Sequence, residues 1–315
     1  MVYKGIGYKY VNGQKTETVA VVVGVEQKKP RAQVSPHEMI PTTIDGIPTD
    51  VQENPPIRAW SGRPMTIAHS HTARVRPVPP GVSIGHEQTT AGTHGGYVQY
   101  GTDTAWYGLS NNHVVANENR AQRGDRIYQP GPYDIPEQTP DAETYTIATL
   151  ETFVRLGPST SGCLWWPFTR RQERRQPYPN LVDAAIYRMR TQDDVELAIQ
   201  GSGRVVRGIR DMVLGDRCYK VGRTTGYTDG VVEIVNMEIP IHYDAGVWNF
   251  VDQLGIRHRT NGEMFSAPGD SGSWVLSHDD YFGALLFAGG GGVTIANPVA
   301  HVVALLGVRL PAQRV

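Results

Sequence analysis

The amino-acid sequence predicts a mainly β protein, antiparallel barrels or a sandwich, with a C-terminal helix and a small N-terminal α+β extension. Three observations carry this. Glycine (35) and proline (22) are both abundant in 315 residues, and β-branched residues cluster in short runs, which suits short strands and tight turns better than long helices. From about Val82 onward the runs "GGYVQY", "AWYGLS", "TYTIATL", "VDAAIYRM", "VVEIVNMEI", "GSWVLS" and "YFGALLF" recur between turn residues, a spacing typical of antiparallel barrels or a sandwich. The chain closes on "ANPVAHVVALLGVRLP". There Asn297 can cap a helix, Pro298 can open it, Gly307 can end it and Pro311 follows the stop.

Within residues 1–50, "YKYVNGQKTETVAVVVGV" places Asn12-Gly13 between two alternating segments, the signature of a hairpin with a type I′ turn. In "SPHE", Ser35 can cap a helix, Pro36 suits its first position and Glu38 completes a capping box. "IDGIPTDV" reads as a further short strand. Residues 51–80 are rich in proline and arginine without lasting periodicity, and are expected to connect the extension to the body along the surface. Two β units are expected to follow, residues 81–200 and residues 201–315, the second carrying the helix.

A net charge of −1 gives no global attraction to nucleic acid or to an acidic membrane. The opening "MVYKGIGYKY" lacks the apolar core of a secretory leader, and no run approaches transmembrane length. Cys163 and Cys218 are the only cysteines, too few for a disulfide framework, so a reduced, cytoplasmic protein without a membrane partner is expected.

The chemistry-bearing strings come in a telling order. "LSNNHVVAN" sets His113 in a polar turn beyond a strand. "NLVDAAIYRM" sets Asp183 at the head of an apolar segment, where an unpaired buried carboxylate would be costly. "SAPGDSGSWVL" then surrounds Ser271 with Gly269, Asp270 and Gly272. Taken singly, each is ordinary: a surface histidine, a capping acid, a turn serine. Together they supply a hydroxyl nucleophile, a base that titrates near neutrality and a carboxylate to orient that base. The string around Ser271 also fails the G-x-S-x-G elbow of the α/β-hydrolases, because Ser273 stands in the fifth position.

With "LSNNHVV", "VDAAI", "GDSGS" and the close "FAGGGG…ANPVAHVV", the sequence resembles the trypsin-like (chymotrypsin-fold) serine peptidases over roughly residues 81–310. "SIGH…TAGT" and the N-terminal extension bring it nearer to the bacterial and plant group typified by the narrow-leaf protein. The resemblance implies two β-barrels of the chymotrypsin type with a catalytic cleft between them. Its triad would be His113, Asp183 and Ser271, and its oxyanion donors the N–H groups of Gly269 and Ser271. Asp270 would hold the oxyanion loop through an internal cation in "YKVGRTTGYTDG", with Lys220 ranked ahead of Arg223, so that the uncut chain is active. The first specificity pocket would be walled by Phe265, Ser266, Ala267 and Pro268 and by Phe287, Ala288 and Gly289. That pocket is apolar and narrowed by Phe265, so cleavage after an apolar residue of a protein or peptide substrate is implied. Many relatives orient the triad aspartate with a serine from the strand "GALLFAGGG"; none stands there, so Asp183 must find other donors.

Between His113 and Asp183 an insert mixes Trp165, Trp166 and Phe168 with Arg170, Arg171, Arg174 and Arg175. Such interleaving can bind single-stranded nucleic acid, but a solvated loop or a subunit contact is the simpler reading. A homo-oligomer would form through this 155–180 insert or through the extension. His69 and His71, without nearby cysteines or acids, make a poor metal site. No metal or cofactor is expected. The alternatives to a peptidase are an idle scaffold on a protease fold and a nucleic-acid-binding regulator.

Overall fold

A computed structural model describes residues 1–59, 69–137, 141–157 and 179–311. Its strands fall into two sheets, of twelve and eight strands, and the longest helix among the described residues is Val299–Leu306 near the C-terminus. This is the mainly β, two-sheet arrangement with a C-terminal helix that the turn-separated runs predict.

In the larger sheet six strands close on themselves. Arg217–Gly222 pairs with Trp274–Ser277, which pairs with Tyr281–Gly290. The path continues through Val293–Pro298 and Gly246–His258 to Gly226–Tyr243, which returns to Arg217–Gly222. Every step is antiparallel, and beyond the circuit Gly226–Tyr243 and Tyr281–Gly290 keep edge on which further strands pair. Cys218, Val232, Ile256, Phe265, Val275 and Leu286 fill its interior. The smaller sheet runs, in spatial order, Val308–Arg309, Gly96–Tyr100, Tyr107–Ser110, Ala185–Met189, Thr146–Phe153, Arg126–Tyr128, Ser83–His86 and Gly92–Thr93.

One apolar cluster joins the sheets: Leu109 and Ile186 from the smaller pack with Tyr219, Trp274 and Leu285 from the larger. The helix adds Val299, Val302 and Leu306 to the same cluster. Burying side chains of this size stabilises the fold by about 1.5–3 kcal/mol each. The helix starts at Val299, with Pro298 in the cap position rather than the first helical one and no side-chain cap, and ends at Gly307 as expected. Asn297 is not its cap. It is the buried end of a strand, and its side chain is committed elsewhere.

The expected hairpin forms from Tyr3–Val11 and Gln14–Val25. Asn12 and Gly13 take φ of 54° and 77°, the left-handed pair that a type I′ turn requires. The hairpin is continuous with the larger sheet, because Tyr3–Val11 pairs with Gly226–Tyr243, and Ile47–Glu53 adds to Gln14–Val25 in parallel. Ser35 and Glu38 do meet, Oγ to Oε2 at 3.2 Å, but they close a turn and no helix follows. Pro41 lies one turn ahead and disfavours helical backbone at Ile40.

The connecting segment also departs from expectation. Instead of running only along the surface, it buries Ile57 completely and forms the strand Arg58–Ala59, paired with Tyr281–Gly290 and with Gly226–Tyr243. The insert residues Trp165, Trp166, Phe168, Arg170, Arg171, Arg174 and Arg175 lie outside the described residues. No helix among the described residues is long and apolar enough to cross a membrane.

Candidate active site

His113 leaves the strand Tyr107–Ser110 in a single helical turn, Asn112–Val115. Flanking asparagines fix that turn. Asn112 donates to the Asn119 side chain and to the Val154 carbonyl, both at 2.8 Å, and Asn111 donates to the Asp183 carbonyl at 2.7 Å. Asp183 sits two residues before Ala185–Met189 and is fully buried. Its Oδ2 accepts from Nδ1 of His113 at 2.6 Å, and its Oδ1 from the His113 backbone N–H at 3.2 Å. The ring is thereby set with Nδ1 as donor, leaving Nε2 as the acceptor, and Nε2 is buried with no partner among the described residues.

A third donor reaches Asp183 from a place the sequence reading did not consider. The Tyr243 hydroxyl donates to Oδ2 at 2.7 Å. Burial, and next the neighbouring Asp183 carboxylate, push this phenol well above the ordinary tyrosine range, so the hydroxyl stays a donor. Tyr243 ends the long strand Gly226–Tyr243, where the hairpin turns back into Gly246–His258. Its ring stacks on Trp248 at 4.8 Å, and the turn is tied down by Glu118, whose carboxylate accepts from Asp244 and Ala245 N–H at 3.2 and 3.0 Å. The donor that "GALLFAGGG" lacks thus comes from another strand.

Asn297 is the other residue missed. It accepts from the Asp183 backbone N–H at 3.0 Å and donates to Gln253 at 2.6 Å. In sequence it looked like a cap. Only the register of Val293–Pro298 turns it toward Asp183.

The Gly269–Gly272 loop presents Ser271 from the other sheet. Ser271 is fully buried, and its Oγ donates to the Phe287 carbonyl at 3.2 Å. In this rotamer the structure does not bring it into a hydrogen bond with His113. The N–H groups of Gly269 and Ser271 make no hydrogen bond among the described residues, and Gly269 takes φ of 100°, a conformation open chiefly to glycine. Gly272 shares that conformation, with φ of 93°, and has a second reason for being glycine: a Cβ there would stand 2.1 Å from Ser110 Oγ and 2.3 Å from the Thr93 carbonyl. It lets the two sheets meet.

Asp270 is also fully buried. Oδ1 accepts from the N–H groups of Thr224 and Thr225 at 2.9 and 3.1 Å, and Oδ2 from Ala267 N–H and Thr225 Oγ1 at 2.9 and 2.7 Å. The Lys220 ammonium lies 3.6 Å from Oδ2, itself fully buried. Burial lowers the Lys220 pKa, while Asp270 pulls it back up. The Arg223 guanidinium is turned away and pairs with Asp134, so the alternative cation for Asp270 is corrected. Arg223 supports the loop in two ways: its backbone N–H donates to Thr93 Oγ1 at 3.0 Å, and that hydroxyl donates to the Gly269 carbonyl at 2.9 Å, while its guanidinium donates to Thr224 Oγ1 at 3.1 Å, which donates to the Pro268 carbonyl at 2.7 Å.

The expected pocket walls are mostly interior. The Phe265 ring is 1% exposed and belongs to the barrel core, so it narrows no pocket. It packs inward because "GEMF" drops it opposite Gly230, where a Cβ would lie 2.6 Å from the ring. Phe287 packs on Phe250 with ring centroids 4.8 Å apart, and Ser266 bonds to Thr294 at 2.6 Å. Ala267, Ala288 and Gly289 are buried, and Pro268 is partly exposed. A cavity of about 270 Å³ opens beside His113, lined by Thr89, Thr90, Asn117, Glu118 and Asp244 among others.

His71 bonds to the Gly81 carbonyl at 3.0 Å. Among the described residues, His86, Glu87 and Asp125 bring ligand atoms within 4.8 Å of one another. Both ring nitrogens of His86 are engaged, with Asp125 and with Gln88 N–H, each at 3.1 Å.

No protein-family model matches the sequence, and neither does any curated protein. Among solved structures, the chain is similar to Protease A of Thermobifida fusca, at 15% identity over 75% of this chain and 99% of that one, with a TM-score of 0.47. It is also similar to a chymotrypsin of Cellulomonas bogoriensis (16%, 75% and 99%, TM-score 0.47) and to a Nocardiopsis protease (14%, 74% and 98%, TM-score 0.48).

Proposed function

We propose that the chain is a serine endopeptidase of the trypsin-like class, nearest the narrow-leaf type, that cleaves protein substrates, after an apolar residue, through an acyl-enzyme. The observation that carries the reading is the pairing of buried Asp183 with Nδ1 of His113, which leaves Nε2 as an unpartnered acceptor. In the reaction Ser271 leaves the Phe287 carbonyl and gives its proton to Nε2 as Oγ bonds to the scissile carbonyl carbon. The N–H groups of Gly269 and Ser271 take up the charge developing on the carbonyl oxygen. His113 then hands the proton to the departing amine, and water, deprotonated by the same ring, releases the acyl group.

A second reading is supported by the Ser271 rotamer and its burial: an idle scaffold with the same residues. A fluorophosphonate probe separates the two. Labelling at Ser271 is expected, and both Ser271→Ala and His113→Ala should lose about 10⁶-fold in kcat, as in comparable triads. A folded wild type that the probe never labels supports the scaffold.

A further inference from the structure

The peptide backbone beside Ser271 belongs to the chain itself. Ser271 bonds to the Phe287 carbonyl, and the next two residues of that strand, Ala288 and Gly289, pair antiparallel with Ala59 and Arg58. On its other side the same short strand meets the hairpin that carries Tyr243: Arg58 pairs in parallel with His242, and His242 N–H donates to the Ile57 carbonyl at 3.2 Å. Residues 58–59 therefore run between an element that contacts the candidate nucleophile and one that contacts Asp183. Upstream the segment is fastened. Asn54 is buried and donates to the Gly290 carbonyl at 3.3 Å, and Ile57 is fully buried in a cluster with Phe250 and Phe287. The pairing itself is only two residues long, and Arg58 is exposed. Ser271 is fully buried and His113 is 5% exposed.

An extended peptide recognised by strand addition bonds through its main chain to an exposed edge. At Ala288 and Gly289 that edge is already taken. We infer that residues 58–59 are a resident competitor for the peptide-binding edge, displaced by a substrate strand while Asn54 and Ile57 hold the tether. A short tether keeps the competitor at an effective concentration of about millimolar, enough to restrain weak substrates while still yielding to good ones. This inference rests on the peptidase reading and adds what regulates access to that site.

The test is Ala59→Pro, which removes a strand N–H and leaves the Ile57 anchor intact. With fluorescein-labelled casein as the probe, KM should fall about tenfold, as expected when the competent fraction rises from about a tenth toward one, with kcat unchanged. If that variant does not fold, Arg58→Gly combined with Ala59→Gly should give the same split. In the Ser271→Ala protein, saturating casein should accelerate hydrogen exchange at the Arg58 and Ala59 amides, while the anchoring Asn54 amide, bonded to the Val25 carbonyl, stays protected. An unchanged KM in a variant of unaltered melting temperature, or exchange that casein leaves unaffected, overturns the inference. Fluorophosphonate labelling run in parallel keeps the two proposals apart: no labelling sinks the peptidase reading, whereas labelling with an unaltered KM sinks the competitor alone.

Discussion

Two carboxylates at this site are fully buried, Asp183 and Asp270, and the fold satisfies them in opposite ways. Asp270 has a lysine ammonium and four neutral donors, all from the segments 220–225 and 267 that frame its loop. Among the described residues Asp183 has no lysine or arginine hydrogen-bonded or ion-paired to its carboxylate. It has three donors, two from His113 and one from Tyr243. A buried charge is tolerable only when paired or well bonded. Asp270 meets this condition permanently, as a structural pin. Asp183 meets it with donors alone and so keeps unspent attraction for a cation, which an imidazolium at His113 would supply. The difference separates a charge that shapes the site from one that takes part in the proposed reaction.

Asp183→Asn would break the reactive side of this contrast most severely. With its oxygen in the Oδ2 place the amide would aim N–H₂ at the His113 backbone N–H; flipped, it would aim N–H₂ at the Tyr243 hydroxyl and at Nδ1, which favours the wrong His113 tautomer. We expect a loss of about 10⁴ in kcat with the fold intact, read by steady-state kinetics and circular dichroism. Activity near wild type at neutral pH would mean that His113 is oriented by something else.

Lys220→Met tests the structural side. Leaving Asp270 buried without its cation should cost about 3–5 kcal/mol of stability, and a misplaced Gly269 or Ser271 donor should cost about 10²–10³ in kcat. Adding Asp270→Asn to Lys220→Met should recover part of the stability, because the buried charge goes with its partner, while the amide N–H₂ still faces two donors. Denaturant titrations of the single and double variants check this, and a double variant less stable than the single would count against it. Since burial lowers the Lys220 pKa, wild-type activity should decline on alkaline titration before the ordinary lysine range is reached.

Tyr243→Phe should give the smallest effect. A hydrogen bond to a charged group is worth about 1.5–3 kcal/mol, so a drop of roughly ten- to a hundredfold in kcat is expected, with KM little changed. A merely structural ring would show no such drop, because phenylalanine preserves the stacking on Trp248.

Much of this was legible beforehand where local pattern and global placement agree. Alternating runs gave the strands, Asn12-Gly13 gave the hairpin, and the strings around His113, Asp183 and Ser271 pointed to the candidate site. What could not be read depended on register. Tyr243 and Asn297 reach Asp183 only because distant strands pair in one particular alignment, and no spacing in the chain announces it. The resemblance puts Phe265 in a pocket wall, yet its ring turns into the barrel because Gly230 leaves room for it. The SPHE string met its local capping rule and was overruled by the proline that follows.

The pairing of Tyr3–Val11 with Gly226–Tyr243 has a consequence for the order in which the molecule can assemble. The Tyr10 hydroxyl bonds to Glu233, 223 residues away in sequence. Contacts of such separation carry a large loop-closure cost and slow the approach to the native state. During synthesis the first hairpin emerges long before its partner strand exists, and one edge of it stays open to other chains in the interval. The strand that completes that edge is the one ending at Tyr243, so the sheet gains its N-terminal strands and Asp183 its third donor in the same late event. A nascent chain stalled before that strand would therefore expose an aggregation-prone edge and hold an incomplete site at once.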